Sequence, residues 1–396
     1  MPAMENTQPA TAGRQDPTAL PIGILAIAGM TVFAAVFLMA ESEAAVGGLL
    51  AFAAVAVLGA GKLGLLERVR AAFRDHELTM HTAIVIGALA IAWVFREDHF
   101  ALLMLTMAML YLTACLGLNV QLGYTGILNF AGSSFLGVGC YTAAVLTQHT
   151  AIPPLVILPL GGLMATIVGS VLILPVLRTR GHYAAVVTIA FAVLFKTFLE
   201  VNDSLGGPQG LAVGEMTLFG WGFNSNIEIG DFYASFYMNY FLLALVITIL
   251  AFALTRRIER SWVGLNMDAV RIDELAASCF GINLARWKIT AFMLGNFMIG
   301  TAGALLGMIL GFIAPTNFTF ADSLILLSIV LLGGMGSVWG IALASAIIVM
   351  LPEKLQLIQE YRFLLFAALV ILVLRFRPNG LLPRADRIYF PGWRPR

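Results

Sequence analysis

Charged side chains are scarce in this sequence. Only 11% of its 396 residues are Asp, Glu, Lys or Arg, whereas soluble globular proteins carry about 25%. Hydrophobic residues make up 60% of the chain, which is more apolar surface than one core can hide from water. The shortage of charge therefore excludes a water-soluble enzyme and indicates a protein that lies mostly in lipid. The net charge of +1 also gives a nucleic acid no basic face to bind.

Cysteine and histidine are few, and no catalytic or nucleotide-binding signature is complete. Of the three cysteines, Cys115 and Cys140 stand in apolar runs typical of small buried side chains, so a disulfide scaffold is excluded. The five histidines lie in separate segments without zinc-type spacing, and we expect no metal site. Gly61-Lys62 is similar to the end of a phosphate-binding loop, but Leu63 follows where Ser or Thr would meet Mg²⁺. We expect no catalytic residues and no cofactor in this chain.

Apolar segments recur along the chain at about the length that a membrane-spanning helix needs, roughly 20 residues. They predict an all-α, polytopic membrane bundle of about 10–12 spans, some of them broken or re-entrant. The polar composition of residues 1–20 predicts a disordered tail before the first span. The candidate spans are 21–40, 44–61, 80–95, 100–120, 124–146, 154–178, 183–199, 233–254, 289–313, 319–333, 338–351 and 361–375.

The basic residues predict the orientation in the membrane. Most of the 23 Lys and Arg residues fall on one side if the spans alternate, with large groups in 62–77, in 255–288 and in the C-terminal tail. Because basic loops are retained in the cytoplasm, we expect both termini to be cytoplasmic. Loop 200–232, on the opposite side, has five acidic residues and no Lys or Arg. It is either a docking surface for an external protein or an ordinary exposed acidic loop.

The predicted spans contain almost no ionisable side chains. Ion-coupled carriers usually hold such residues in mid-span, so their scarcity argues against a secondary transporter. Lys196 lies near the end of its span, where it can pair with Glu200 four residues on. Asp322 follows Thr319 in the first turn of its span, which is typical of a helix-start acid, with a substrate contact as the alternative.

Glycines are the strongest pattern within the spans. They recur every four residues, a spacing that lets two helices approach closely and predicts helix packing rather than transport chemistry. The predicted packing glycines are Gly303, Gly307, Gly311, Gly336 and Gly340.

Residues 121–134 form a different pattern, because glycines alternate there with amides and hydroxyls at membrane depth. Free backbone groups at that depth are tolerated only beside protein or a water-filled cavity. The stretch therefore predicts either a broken helix that lines a pathway or tight helix packing. The candidate pathway residues are Tyr124, Thr125, Asn129, Ser133 and, from the later span, Asp322.

The basic loop 255–288 contains apolar residues at helical spacing over 265–280. This spacing predicts one short amphipathic helix, either on the membrane surface or in the groove of a partner. Gly281 provides the left-handed residue that ends such a helix, and Ala276 and Ala277 offer a shallow seat against a partner. Arg271 and Glu274 point away from the apolar face.

Residues 271–283 resemble the Glu-Ala-Ala loop of bacterial ABC importer permeases, in the form found in branched-chain amino-acid permeases of the LivM type. The resemblance continues from about 115 to 385 in the same order. It includes segments 119–141, 178–183, 203–211, 311–322, 332–340 and 377–382. It implies an extension of variable spans over 21–99, a permease core over 100–376 with the coupling loop 255–288, and a cytoplasmic tail over 377–396.

The resemblance also implies a function and a set of partners. The chain would be a permease subunit in the bacterial inner membrane, importing leucine, isoleucine and valine by alternating access. It would assemble with a homologous second permease, two cytoplasmic ATPases that bind ATP and Mg²⁺, and an extracytoplasmic binding protein. Arg271, Glu274, Ala276, Ala277 and Gly281 would transmit the movement of the ATPases. Urea and short-chain amide permeases share much of this pattern, and they stay open as an alternative, ahead of an ion-coupled carrier.

Overall fold

The computed structural model describes residues 18–40, 42–178, 183–218, 220–229, 232–354, 364, 368, 371, 375 and 380–384. The chain divides into two compact units, Met1–Phe95 and Arg96–Arg396. The division lies close to the predicted boundary between 99 and 100. Most of the predicted tail 1–20 lies outside the described residues.

The first unit contains three long apolar helices, α1 (Ala19–Met39), α2 (Glu43–Lys62) and α4 (Glu77–Val94), which coincide with the first three predicted spans. Between them lies an amphipathic helix, α3 (Leu65–Asp75), where the sequence predicted only a basic loop. Ala72 of α3 is buried with Ala19 of α1 and Met80 of α4. The apolar side of α3 is thus covered by the two spans beside it.

The second unit is a helical bundle. Its helices are α5 (His99–Thr125), α6 (Gly132–His149), α7 (Pro154–Arg178), α8 (Tyr183–Val201), α9 (Tyr237–Glu259), α10 (Trp262–Ile272), α11 (Glu274–Cys279), α12 (Leu284–Leu310), α13 (Phe320–Gly333) and α14 (Val338–Lys354). Helix α12 is central and packs against α5, α6 and α7.

Within the described residues, eight helices are long and apolar enough to cross a membrane. The predicted spans up to residue 351 coincide with helices, except that the predicted span 124–146 begins in the last residues of α5, crosses the non-helical segment 126–131 and continues in α6. The last predicted span, 361–375, lies largely outside the described residues. The predicted all-α, polytopic architecture is confirmed.

Backbone contacts at glycines hold α12 in place. A Cβ atom on Gly303 would lie 2.1 Å from the carbonyl oxygen of Leu136 in α6, and one on Gly307 would lie 3.3 Å from the Cα of Cys140. Gly311 differs from the prediction, because it ends α12 in the left-handed conformation (φ +66°) and a Cβ there would meet nothing within 4 Å. Its role is to end the helix.

The second glycine pair also splits into two roles. Gly340 of α14 packs against Gly333 at the end of α13, where an added Cβ would overlap the Gly333 carbonyl. Gly336 lies in the turn between these helices at φ +84°, rather than on a helix face. Its N–H donates to Asn119 Oδ1 over 2.8 Å.

The segment between α8 and α9 forms short antiparallel pairs where the sequence predicted an acidic loop. Strands β2 (Thr217–Leu218) and β3 (Trp221–Gly222) pair, as do β4 (Ile227–Ile229) and β5 (Phe232–Ala234). Strand β1 (Leu211–Ala212) pairs with β6 (Phe312–Ile313), which follows α12. This loop is therefore hydrogen-bonded to the chain that joins α12 to α13.

Residues 380–384, part of the predicted C-terminal tail, pack against the bundle. The N–H groups of Leu381 and Leu382 donate to the carbonyls of Leu332 and Gly333, over 2.8 and 3.3 Å. This part of the tail is fixed to the end of α13.

Candidate functional site

Helices α5 and α6 are separated by a non-helical segment inside the bundle. Gly126 ends α5 at φ +74°, and α6 begins at Gly132. A Cβ atom on Gly132 would lie 3.1 Å from Leu118 Cδ1 of α5, so the segment 126–131 runs back along α5. Helix α6 therefore starts roughly 10 Å inside the end of α5, at a rise of 1.5 Å per residue.

Side-chain amides hold this break together. Gln121 Nε2 donates to Asn296 Oδ1 of α12 over 2.9 Å, and Gln121 Oε1 accepts from Asn129 Nδ2 over 2.7 Å. Asn129 Oδ1 in turn accepts from the N–H of Ala131 over 2.9 Å. The three amide side chains are buried, and such networks provide the hydrogen bonds that a broken helix loses. Neither Gln121 nor Asn296 was among the predicted pathway residues, although the sequence shows both as amides within apolar segments.

Two other predicted pathway residues near the break, Thr125 and Tyr124, contact neighbouring groups of the protein. The hydroxyl of Thr125 donates to the Gln121 carbonyl over 2.6 Å. Tyr124 is fully buried, and its ring lies 4.8 Å from the guanidinium carbon of Arg384. These side chains are part of the framework around the break.

Ser133 and Asp322, by contrast, come together at a cavity of about 180 Å³ between α5, α6, α12 and α13. Apolar side chains form most of its wall. The lining residues are Met107, Tyr111, Ser133, Leu136, Leu306, Leu310, Asn317, Phe318, Asp322 and Leu326. The wall has the composition of a small-molecule site, apolar with a few polar groups, while the volume of about 180 Å³ is below the roughly 300–1,000 Å³ of typical ligand pockets.

Two helices begin at this cavity. The N–H of Ser133, in the first turn of α6, donates to Ser323 Oγ in the first turn of α13 over 3.0 Å. The residue before α6, Ala131, provides no side-chain cap, whereas α13 begins with a capping box of Thr319 and Asp322. The predicted helix-start role of Asp322 is confirmed. The positive end of the α6 dipole thus lies among buried residues, while the start of α13 is half-exposed at the edge of the cavity.

The charge pair predicted near the end of α8 is also present. Lys196 Nζ lies 3.4 Å from Glu200 Oε1, at the end of the unit where strands β1–β5 lie.

The opposite end of the second unit carries α10 and α11, where one helix over 265–280 was predicted. Asp273 is extended (φ −155°) and interrupts it. Its carboxylate accepts from the N–H groups of Leu275 and Ala276, over 2.9 and 3.0 Å. The helical periodicity of the sequence continues across Asp273, because this residue falls on the polar face of the predicted helix. An Asp side chain can instead cap the start of a new helix, and this cap competes with one continuous helix.

Most apolar side chains on these two helices face outward. Ile272 and Leu275 are each 78% exposed, Phe280 is 86% exposed and Trp262 is 71% exposed. Beside them is a groove of about 490 Å³, lined by Trp262, Leu265, Asn266, Ala269, Phe280, Gly281, Ile282, Asn283, Arg286 and Trp287. An exposed apolar patch with polar edges marks a surface for a protein partner or a membrane.

The predicted coupling residues lie around this patch. Gly281 (φ +78°) ends α11, and the N–H of Ile282 donates to the Ala277 carbonyl over 3.1 Å. Ala277 is buried, whereas Ala276 is exposed. Glu274 Oε1 lies 2.7 Å from Lys288 Nζ, which connects α11 to the second turn of α12.

Arg271 connects this surface with the helix break. A Cβ atom added to Gly126 would lie 3.4 Å from Arg271 Cγ, so α10 lies directly below the end of α5. Helix α10, which carries part of the outward patch, therefore packs against the end of α5 at which the break begins.

Comparison with known proteins gives consistent matches over the second unit. A family model described as "Branched-chain amino acid transport system / permease component" matches residues 100–374. The high-affinity branched-chain amino acid transport system permease protein LivM of Escherichia coli K12 is 35% identical over 314 residues, covering 76% of this chain and 74% of that protein. LivH of the same organism is 26% identical over 299 residues, covering 71% and 94%. No solved structure matches.

Proposed function

We propose, from the premise that this chain belongs to the family of branched-chain amino acid transport permeases, that it forms the membrane path of an ATP-driven importer for leucine, isoleucine and valine. It is a multi-pass protein of the inner membrane and a transporter subunit. The observation that supports the proposed path is the cavity at the N-terminal ends of α6 and α13, which Ser133 and Asp322 line together with apolar side chains.

The cavity suits an aliphatic amino acid. Both capping hydrogen bonds from Thr319 end on Asp322 Oδ2, which leaves Oδ1 to accept the α-ammonium group. Ala131 gives the first turn of α6 no side-chain cap, and although Ser323 Oγ accepts from the Ser133 N–H, the positive dipole of this turn would attract the α-carboxylate. Leu136, Leu306 and Leu326 provide apolar contacts for the side chain. Weak contacts of this kind suit a path that must release its substrate.

Coupling to ATP would take place at the outward apolar patch. We assign the groove beside Phe280 to one of two ATPase subunits, which would bind ATP and Mg²⁺. Burying Phe280, Trp262 and Leu275 would provide the association free energy, at about 25 cal/mol per Å² of apolar surface. The tie between Glu274 and Lys288 would pass the movement of α11 into α12.

The same assignment implies an orientation. The patch is flanked by Arg256, Arg257, Arg260, Arg271 and Arg286, so by the positive-inside rule this end would face the cytoplasm, and we propose the same side for both termini. A homologous second permease would complete the membrane path, as a heterodimer.

The acidic loop between α8 and α9 would then face the extracytoplasmic binding protein. Its strand β1 pairs with β6, next to the cavity residue Asn317. Gln148 Nε2 of α6 donates to the Ala212 carbonyl over 2.6 Å. Docking on this loop would thus act on both α6 and the rim of the cavity.

The test is transport by the reconstituted system. The chain is reconstituted in proteoliposomes with a second permease, two ATPases and a binding protein of a branched-chain amino-acid importer, with ATP inside or outside. We expect uptake of labelled leucine only with ATP and the binding protein, and no uptake of urea. Uptake driven by an ion gradient without ATP, or of urea in place of leucine, would contradict the proposed function.

A further inference from the structure

Arg384, which follows the last predicted span, contacts several elements at the α10–α11 end. Its Nη1 and Nη2 donate to Asp268 Oδ1 and Oδ2 over 2.7 and 2.9 Å, a bidentate pair. Its Nε lies 3.6 Å from Glu259 Oε1. The guanidinium also lies over the Tyr124 ring, at 4.8 Å from the ring centre. Three helices therefore meet at one side chain: α5, α9 and α10.

These contacts are shielded from water. The side chains of Arg384, Asp268 and Glu259 are only 11–12% exposed. Burial on its own lowers the pKa of Arg384, but hydrogen bonding to Asp268 and the nearby acidic charges raise the pKa above its ordinary value, so the guanidinium stays charged. A charged, bidentate and partly buried pair is stronger and more directional than one on the surface.

The backbone around Arg384 leaves little room for movement. A Cβ atom on Gly336 would lie 2.8 Å from Arg384 Cδ, and one on Gly380 would lie 2.4 Å from the Cα of Gly334. Leu381 and Leu382 are hydrogen-bonded to the end of α13. The aliphatic part of Arg384 thus packs against the α13–α14 turn, while its guanidinium binds Asp268 of α10.

We infer that Arg384 is a positioning residue that passes the movement of α10 to the break between α5 and α6. Asp268 lies on the buried side of α10, whose other side lines the groove assigned to the ATPase. Tyr124 is next to Thr125, the last residue of α5, and the break 126–131 leads to the first turn of α6 at the substrate cavity. Because Arg384 is held so tightly, a shift of α10 would be passed through its guanidinium to Tyr124 and would change the geometry of the break.

This inference rests on the proposed function, and its experiment separates the two. The wild-type importer must first show ATP-dependent leucine uptake; absence of uptake contradicts the proposed function. In the same complex, Arg384→Gln removes the charge and the bidentate pair. We expect assembly and basal ATP hydrolysis to continue, while the uptake per ATP hydrolysed falls about tenfold, the range of typical coupling free energies. The uptake per ATP of Arg384→Lys should lie between those of the wild type and Arg384→Gln.

Two further variants separate transmission from simple stabilisation. Lys196→Gln breaks the Lys196–Glu200 pair at the other end of the bundle and should leave the uptake per ATP unchanged. The exchange Asp268→Arg with Arg384→Asp restores a pair of opposite charges and should recover part of the lost coupling. If Arg384→Gln lowers uptake and ATP hydrolysis in equal proportion per assembled complex, the residue only stabilises the fold and the inference is overturned.

Tyr124→Leu decides the matter if Arg384→Gln does not assemble. It removes the ring beneath the guanidinium and leaves the pair with Asp268 in place. Reduced uptake per ATP with normal basal hydrolysis supports the inference, and full coupling overturns it.

Discussion

Gly303 of α12 lies directly against the backbone of Leu136 in α6, so closely that a Cβ atom would come within 2.1 Å of the Leu136 carbonyl oxygen. No rotation of a side chain can relieve such an overlap, because both partners are backbone. The helices would have to separate, and we expect Gly303→Ala to lower the free energy of unfolding by about 1–3 kcal/mol. Gly307→Ala is the matched control, since its Cβ would lie 3.3 Å from Cys140. Thermal unfolding in detergent measures both; equal losses would contradict the packing argument.

Asn129→Ala should weaken the break between α5 and α6. The change leaves Gln121 Oε1 and the N–H of Ala131 without their present partner in a buried site, at a cost of about 1–3 kcal/mol. We expect slower leucine uptake with unchanged affinity of the binding protein. Gln148→Ala, which removes an exposed amide bonded to Ala212, is the control and should have a smaller effect on stability. Unaltered uptake by Asn129→Ala would show that transport does not depend on this part of the hydrogen-bond network around the break.

Asp322→Asn and Thr319→Ala separate helix capping from substrate binding. Both variants weaken the capping box at α13, so each should lower stability by about 0.5–2 kcal/mol. Only Asp322→Asn removes the negative charge proposed to meet the α-ammonium group. Its KM for leucine transport should therefore rise several-fold more than that of Thr319→Ala. If the two variants have the same KM, Asp322 is a cap alone.

Phe280→Ala should weaken docking without harming the subunit. The side chain is 86% exposed, so its removal costs the isolated fold little. In an interface it would be a buried aromatic anchor, whose loss costs about 2 kcal/mol or more of the association free energy. Co-purification of the ATPase and the melting temperature of the subunit are the two measurements. A lowered melting temperature with normal co-purification would reverse the assignment.

Gly281→Leu should uncouple the importer while leaving it assembled. A leucine at φ +78° is strained by about 1–3 kcal/mol, and it would fill part of the groove that Gly281 lines. We expect substrate-stimulated ATP hydrolysis to be lost. Gly281→Asn is the control, because asparagine tolerates the left-handed conformation better than other residues. Undiminished stimulation in Gly281→Leu would exclude this coupling role.

Local sequence signals predicted the parts of the fold that depend on local properties. Long apolar runs such as 100–120 and 154–178 must be helices in lipid, because only a helix satisfies its own backbone hydrogen bonds there. The Thr319–Asp322 capping box and the Lys196–Glu200 pair were also readable, since each joins residues three or four positions apart. Cys115 and Cys140 are fully buried, as their apolar neighbours indicated.

Helix interruptions were harder to place. Asp273 occupies a polar position of a regular pattern, and only the observed caps show that α10 ends there and α11 begins. The five glycines with equal spacing also have unequal roles, because a glycine can pack a helix, end it or turn the chain. Spacing is the same in each case, and the neighbour that decides the role is distant in sequence.

The sequence by itself determined that this is a polytopic helical membrane protein with a basic loop over 255–288 and few charges in its spans, because hydropathy and charge act on each segment separately. The tertiary structure decided which polar residues share a site. Ser133 meets Asp322 at a cavity, while Asn129 turns instead to Gln121. It also decided that Arg384 in the tail holds Asp268, more than a hundred positions earlier. Those pairings depend on how the helices pack. A buried carboxylate needs a cation nearby to offset the cost of its desolvation, and only the packed bundle determines which cation is close enough.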